Sequence, residues 1–274
     1  MARAPGNGSR LVTLSSDIGS LYAAQVRAAL LGYVPAERIV DITHELPAHQ
    51  IREAAFLVRH IAARFPPGTV HVVIVDPGVG GTRAPVAVRC RDTSALVGPD
   101  NGVLYPLAHE LGIADAVRLE PGRVSPGSSV SATFEGRDLF APAAGRLAQG
   151  VALARLGVPW KLDRLELPEA RRVPGGARGE VLHVDRFGNL ITNVPSAWAP
   201  GPGAQVQVQI GEHDLRTQQF VTYEAMPPQG LGLVGSSFGL LELSVREGRA
   251  ADRLGVVPGA GVVLRWPRRR QDRK

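Results

Sequence analysis

Residues 69–83 read TVHVVIVDPGVGGTR. Six of the seven residues from Thr69 to Val75 are β-branched, and the run stops on Asp76-Pro77-Gly78, which marks a buried strand that delivers polar residues at its carboxyl end. Upstream, Leu11-Val12-Thr13-Leu14 reads as another buried strand and Arg38-Ile39-Val40-Asp41-Ile42 as a third. Between them, Ser20 to Tyr33 places Leu21, Ala24, Ala28 and Leu31 near the helical period, with Ser20 available as a cap, and Gln50 to Ala63 forms a second helix. The order βαβαβ predicts a mostly parallel α/β sheet whose ligand lies beyond the carboxyl ends of the strands.

Working outward, Leu162 to Gly179 (LDRLELPEARRVPGGARG) is a charged stretch closing in a Pro-Gly-Gly turn, after which the helical period nearly vanishes. Short alternating runs follow, at Glu180–Val184, Ala204–Ile210, Gly230–Val234 and Leu240–Val245, separated by Gly, Pro and Asn turns. The expected division is an α/β domain over 1–165, a smaller β-rich domain over 178–265 and a basic tail over 266–274.

The 274 residues are 44% hydrophobic and 20% charged, with a mean hydropathy of +0.01, which describes a folded chain and not a disordered one. No run of about 18 uncharged apolar residues occurs, and the first ten residues lack the roughly 7–15-residue apolar core of a signal peptide, so the expected location is the cytoplasm. Of the formal net charge of +6, a net +5 falls in the last ten residues, so the body is nearly neutral and nucleic acid is not an expected partner. The single cysteine, Cys90, excludes an internal disulfide and a Cys-rich zinc site.

Three motif-like stretches fail on spacing. Gly235-Ser236-Ser237-Phe238-Gly239 matches a nucleophile elbow, but no histidine follows His213. His44-Glu45-Leu46-Pro47-Ala48-His49 separates its histidines by five positions with a proline between, which cannot put both on one helical face for zinc. Gly78-Val79-Gly80-Gly81-Thr82-Arg83 starts like a dinucleotide fingerprint, yet Arg83 holds the last glycine position and no helix-like run follows.

What remains is a series of strand-end clusters: Ser16-Asp17-Ile18-Gly19, Asp41-Ile42-Thr43-His44, Asp76 to Arg83, Gly98-Pro99-Asp100-Asn101-Gly102, then Thr133-Phe134-Glu135-Gly136-Arg137-Asp138 and Asp185-Arg186-Phe187-Gly188-Asn189. Together, and in this order from about Leu11 to Leu264, they resemble the S-adenosyl-L-methionine (SAM) hydroxide adenosyltransferase family, hydrolytic relatives of the SAM-dependent fluorinase and chlorinase. The resemblance implies an N-terminal, mostly parallel α/β sandwich domain joined to a smaller C-terminal β-barrel-like domain, assembled as a homotrimer with active sites between subunits. It implies hydrolysis of SAM to adenosine and L-methionine without a cofactor or metal. By position, Asp17 would hold the ribose hydroxyls, and His49 and Phe134 would enclose the adenosyl unit. Asp185 would meet the methionine ammonium, with Phe187 in the same substrate-binding set, Asn189 would read the adenine, and Ser236 or Ser237 would contact the methionine carboxylate.

The chemistry suits that reading. SAM carries its leaving group as a sulfonium, so displacement at the ribose 5′ carbon needs no general acid; it needs an aligned water and an acceptor for its proton. Asp76 and Arg83 match the first two members of the family's Asp-Arg-His set, and a carboxylate at Asp76 disfavours a halide nucleophile. The third member departs, because Glu135 stands where the relatives carry histidine. Three readings stay open: Glu135 handles the water, Glu135 pairs with Arg83 while Asp76 does the chemistry, or a SAM- or adenosine-binding protein without turnover remains. A SAM-dependent halogenase is the other enzymatic alternative.

Overall fold

Strands β1 (Val12–Ser16), β2 (Ile39–Thr43) and β3 (Val70–Ile74) alternate with helices α1 (Gly19–Leu30) and α2 (Ile51–Ala62) in the computed structural model, which describes residues 9–266. Most of the basic tail therefore lies outside the described residues. The chain divides into two compact units, Met1–Leu167 and Pro168–Lys274.

In the first unit, β4 (Pro85–Cys90), β5 (Ala95–Pro99), β6 (Ile113–Leu119) and β7 (Gly157–Pro159) complete a seven-stranded sheet in the order β2-β1-β3-β5-β4-β6-β7. The expected parallel pairing holds from β2 to β5 and turns antiparallel from β5 to β7. The cause is connection length: residues 91–94 alone join β4 to β5, which allows a hairpin but no crossover. Helices α3 (Tyr105–Leu111), α4 (Pro121–Val124) and α5 (Ala141–Ala148) follow, α5 being entered through a π-helical turn over Gly136–Phe140. Helix α1 begins one residue before Ser20, at Gly19, whose φ of +71° favours glycine; no side chain caps it, so the cap expected at Ser20 is not made.

Side-chain alternation sorts β1 and β3 into two faces. Val12, Leu14, Val70, Val72 and Ile74 join Val26 and Leu30 of α1 and Ala143, Ala144 and Leu147 of α5 in one buried core. In the second unit, β8 (Arg171–Val173), β9 (Gly176–Val184), β10 (Leu190–Pro195), β11 (Gln205–Ile210), β12 (His213–Gln218), β13 (Leu231–Gly235), β14 (Leu240–Val245) and β15 (Gly261–Arg265) form one sheet in the order β12-β11-β15-β9-β10-β14-β13, with β8 against β9. Its two edges nearly meet: Thr217 Oγ1 donates to Leu231 O at 2.6 Å and Phe220 N to Leu233 O at 2.9 Å. This near-closure makes the sheet barrel-like around Val181, Leu190, Val208, Leu233, Leu243 and Leu264, with helix α6 (Ala250–Leu254) packed on it. Among the described residues no helix is long and apolar enough to cross a membrane.

On the other face of β1 and β3, Thr13 Oγ1 and His71 Nδ1 lie 2.8 Å apart, both buried. Burial pushes the His71 pKa down from 6.5 to about 4, against a smaller opposing pull from Asp92. A depressed folded-state value stabilises above the unfolded pKa and loses that stability as pH falls. The thermal midpoint should therefore drop between pH 6.5 and about 4, and His71→Gln should flatten that part of the profile in calorimetry.

Candidate active site

Asp17 follows directly on β1 and Asp76 one residue beyond β3, and these strands are hydrogen-bonded neighbours with Ser16 opposite Ile74. Asp17 N donates to Ile74 O at 3.1 Å, and Asp17 Oδ2 accepts from His49 N at 3.1 Å. His49 holds a left-handed φ of +63°, so its contact with Asp17 is made by its backbone, while its ring is exposed.

Asp76, Arg83 and Glu135 come together around one guanidinium. Arg83 Nε donates to Asp76 Oδ1 at 2.9 Å, Nη2 pairs with Asp76 Oδ2, and the same Nη2 lies 2.5 Å from Glu135 Oε2. The three side chains are 6%, 10% and 16% exposed for Asp76, Arg83 and Glu135, so two carboxylates share one cation with little water around them. Burial pulls the Arg83 pKa down, but hydrogen bonding and charge from Asp76, then the charge of Glu135, outweigh it and the value is raised. Asp76 commits both oxygens to Arg83 through hydrogen bonds, whereas the buried Glu135 Oε2 stands against Nη2 as an ion pair and makes no hydrogen bond.

Local backbone makes this meeting possible. Gly80 has φ +73°, and a Cβ there would sit 2.4 Å from Ala132 O, so a glycine lets the Asp76–Arg83 loop press against the segment bearing Glu135. That segment is held by Asp138, which accepts from Ser131 N at 3.0 Å and pairs with Arg137 at 2.6 Å. Phe134 stands edge-on to Tyr22 with centroids 5.6 Å apart and lies 5.0 Å below the Arg137 guanidinium. Arg137 and Asp138 are positioning groups that motif reading quoted without a role; the π-helical turn that carries them leaves no periodic signal.

In the second unit, Asp185 organises its own loop. Its Oδ1 accepts from Phe187 N and Asn189 N, both at 2.9 Å, and its Oδ2 from Asn189 Nδ2, also at 2.9 Å. Gly188 turns the chain at φ +80°, and Phe187 projects with 67% exposure. Ser236 and Ser237 lie on the turn between β13 and β14, where Ser236 Oγ accepts from Phe238 N at 3.3 Å and Ser237 is exposed. Among the described residues no side-chain hydrogen bond joins these serines to the Asp185 loop, and the two lie on separate turns of the unit.

Sequence reading missed Glu242, Tyr223 and Ser244. The strand registers put Asp185, Asn189 and Ser244 in one row across β9, β10 and β14, and Glu242 one step along the same face, opposite Ile191 and Val234. Glu242 is 2% exposed; its Oε1 accepts from Tyr223 Oη at 2.5 Å and Ser244 Oγ at 3.1 Å. The available signal was a charge inside the apolar run Leu240-Leu241-Glu242-Leu243. Among the described residues no group of three or more His, Cys, Asp or Glu side chains could hold a metal ion.

An α/β unit with two carboxylates on one arginine, and a near-barrel unit with an Asp-organised loop, are the two parts of one known class of two-domain SAM-dependent proteins. The SAM hydroxide adenosyltransferase N-terminal domain matches residues 12–157 and the C-terminal domain matches residues 179–263, so the chain belongs to the SAM hydroxide adenosyltransferase family. An (R)-S-adenosyl-L-methionine hydrolase from Thermus thermophilus is 38% identical, covering 93% of this chain and 99% of its own. One of the same name from Salinispora arenicola is 36% identical, over 90% and 95% respectively. A crystal structure of an uncharacterized conserved protein from Thermotoga maritima superposes with a TM-score of 0.85 at 30% identity, covering 93% of this chain and 99% of that one. Fluorinases align at lower identity, 24–27%.

The Glu242 carboxyl has a testable consequence. Burial raises its pKa above 4.5, partly countered by the hydrogen bonds from Tyr223 and Ser244 and reinforced by the charge of Asp185. A raised folded value stabilises at low pH and costs stability as pH rises through it. Glu242→Gln keeps both hydrogen-bond acceptances, so its thermal midpoint should exceed that of the parent at pH 8, with the gap closing near pH 4.

Proposed function

We propose that the chain is a SAM hydrolase that forms adenosine and L-methionine, without a cofactor or a metal ion, in the cytoplasm. The observation that carries the reading is Arg83 held between Asp76, beyond the end of β3, and Glu135, at the start of the π-helical turn, in a chain of this family. Water oxygen attacks the ribose 5′ carbon, the carbon–sulfur bond breaks, and its electron pair leaves on sulfur as neutral methionine thioether. The water proton passes to Glu135, whose buried Oε2 has no hydrogen bond, while Asp76 holds the guanidinium that Glu135 faces. This combines two of the open readings: Glu135 pairs with Arg83 and still handles the water.

Two carboxylates on one guanidinium leave a formal charge of −1 around the attacking position. That attracts a sulfonium and repels a halide ion, which disfavours halogenation on the same geometry. Asp17 takes the ribose diol, since a carboxylate accepts both hydrogen bonds of vicinal hydroxyls. His49 and Phe134 border the adenosyl unit, Asp185 and Phe187 the amino-acid end, Asn189 the adenine, and Ser236 or Ser237 the carboxylate. The names of the relatives specify the (R) epimer at sulfur, and we assign the same preference here.

Purified protein should release adenosine from SAM, faster from the (R) than from the (S) epimer, with no 5′-chloro-5′-deoxyadenosine in chloride. Glu135→Gln should lower kcat by about 10²–10⁴-fold with little change in KM. Near-parental kcat in Glu135→Gln beside a crippled Asp76→Asn would move proton acceptance to Asp76. No adenosine from either epimer would overturn the hydrolase reading.

The assembly inferred is a homotrimer with sites completed between subunits, supported by substrate motifs split between 17–135 and 185–237. Sedimentation should give a trimer at assay concentration. A monomer fully active at nanomolar concentration would refute shared sites.

A further inference from the structure

A continuous line of polar side chains runs beneath Asp17. Ser16 Oγ and His44 Nδ1 are 2.9 Å apart, His44 Nε2 and Asp41 Oδ1 are 3.2 Å apart, and Arg27 Nη1 reaches Asp41 Oδ2 at 2.7 Å. Serine, histidine and aspartate in line resemble a nucleophilic triad in composition, but not in placement. Ser16 is 2% exposed, and the space bounded by Ser16, Val26, His44 and Ile74 has no room for a water, so no substrate reaches the hydroxyl.

The backbone around this line explains its use. Leu46 N donates to Ser16 O at 3.0 Å and Gly19 N to His44 O at 3.0 Å, which lays residues 43–49 across the end of β1. That segment then presents His49 N to Asp17 Oδ2 from a left-handed backbone, a conformation that surrounding contacts must enforce on a non-glycine residue. His44 is the residue of the segment whose ring spans both anchors, β1 through Ser16 and β2 through Asp41.

We propose that His44 is a positioning residue: braced between Ser16 and Asp41, it fixes residues 43–49 so that the His49 amide holds the Asp17 carboxylate in the one orientation that accepts a vicinal diol. The proposal rests on the reading of Asp17 as the ribose partner. His44 touches no reacting atom, and its effect is on nucleoside recognition.

The test is a double-mutant cycle on the full chain, with adenosine and 2′-deoxyadenosine as calorimetric probes that need no turnover. Asp17→Asn should weaken adenosine far more than 2′-deoxyadenosine. His44→Ala should weaken adenosine by about 3- to 10-fold, the range one hydrogen bond supplies, and should add little once Asp17 is already Asn. With SAM, KM should rise more than kcat falls. His44→Gln, whose amide can accept from Ser16 and donate to Asp41, should recover most of the loss, and Ser16→Ala should reproduce it even where His44→Ala folds poorly. Additive penalties in the cycle, or equal penalties on both nucleosides from His44→Ala and Ser16→Ala, would overturn the positioning role while leaving Asp17 in place. Equal losses on both nucleosides from Asp17→Asn alone would remove the ribose reading itself, and the proposal with it.

Discussion

The guanidinium of Arg83 ties together two loops that leave the first sheet at distant points of the chain, one after β3 and one before α5. Burying ions costs several kcal/mol each, and the cost is recovered only where geometry is close and the remaining valences are filled. Asp76 meets that condition with two oxygens on two nitrogens of one fork. Glu135 does not: its buried Oε2 lies against the same nitrogen without a hydrogen bond, so it is the less satisfied of the two carboxylates. The backbone concessions at Gly80 and the Arg137–Asp138 brace around Phe134 serve this one contact, since without them the second carboxylate would not reach the fork.

Acidic groups recur in the second unit, where Asp185 and Glu242 share a sheet face with hydroxyl and amide partners and, among the described residues, no ion pair on either. For a cationic substrate such charge favours binding, but the sulfonium loses its charge as the carbon–sulfur bond breaks. Stabilisation that fades in the transition state lowers KM without raising kcat. Rate must then come from alignment of the attacking water and from a group that accepts its proton.

Much of this was legible beforehand for physical reasons that differ by element. The β3 run could be read because six of its seven residues are β-branched, and Asp17 and Asp76 could be put at a common edge because parallel strands deliver their following residues there, while Arg83 was joined to Asp76 through the family resemblance. The antiparallel half of the sheet was not read, because direction depends on a four-residue connection between β4 and β5 and not on the strands themselves. That the His49 amide would donate to Asp17 could not be read, since backbone conformation at a single residue has no sequence signature unless that residue is glycine. Glu242 escaped notice for a related reason: the hydrogen bond it accepts from Tyr223 comes from a loop whose course across the sheet no local pattern reveals.

Strand-end position says where chemistry can occur, and partner availability decides which residue performs it. Asp100 follows β5 as Asp76 follows β3, yet its Oδ2 accepts from Trp160 Nε1 at 2.6 Å and its Oδ1 from Asp163 N at 3.0 Å, so both oxygens clamp residues 160–163. Burial raises its pKa in spite of those two donors, which leaves a carboxyl group engaged in structure. Its neighbour Asn101 donates to Val75 O at 2.9 Å and accepts from Val103 N at 3.2 Å, stitching the ends of β3 and β5 together beside Asp76. Asp76 is free for a guanidinium because Asn101, an amide without charge, takes the backbone duties at that edge; an aspartate there could not donate to Val75 O and would bring a further carboxylate to a cluster already short of cations.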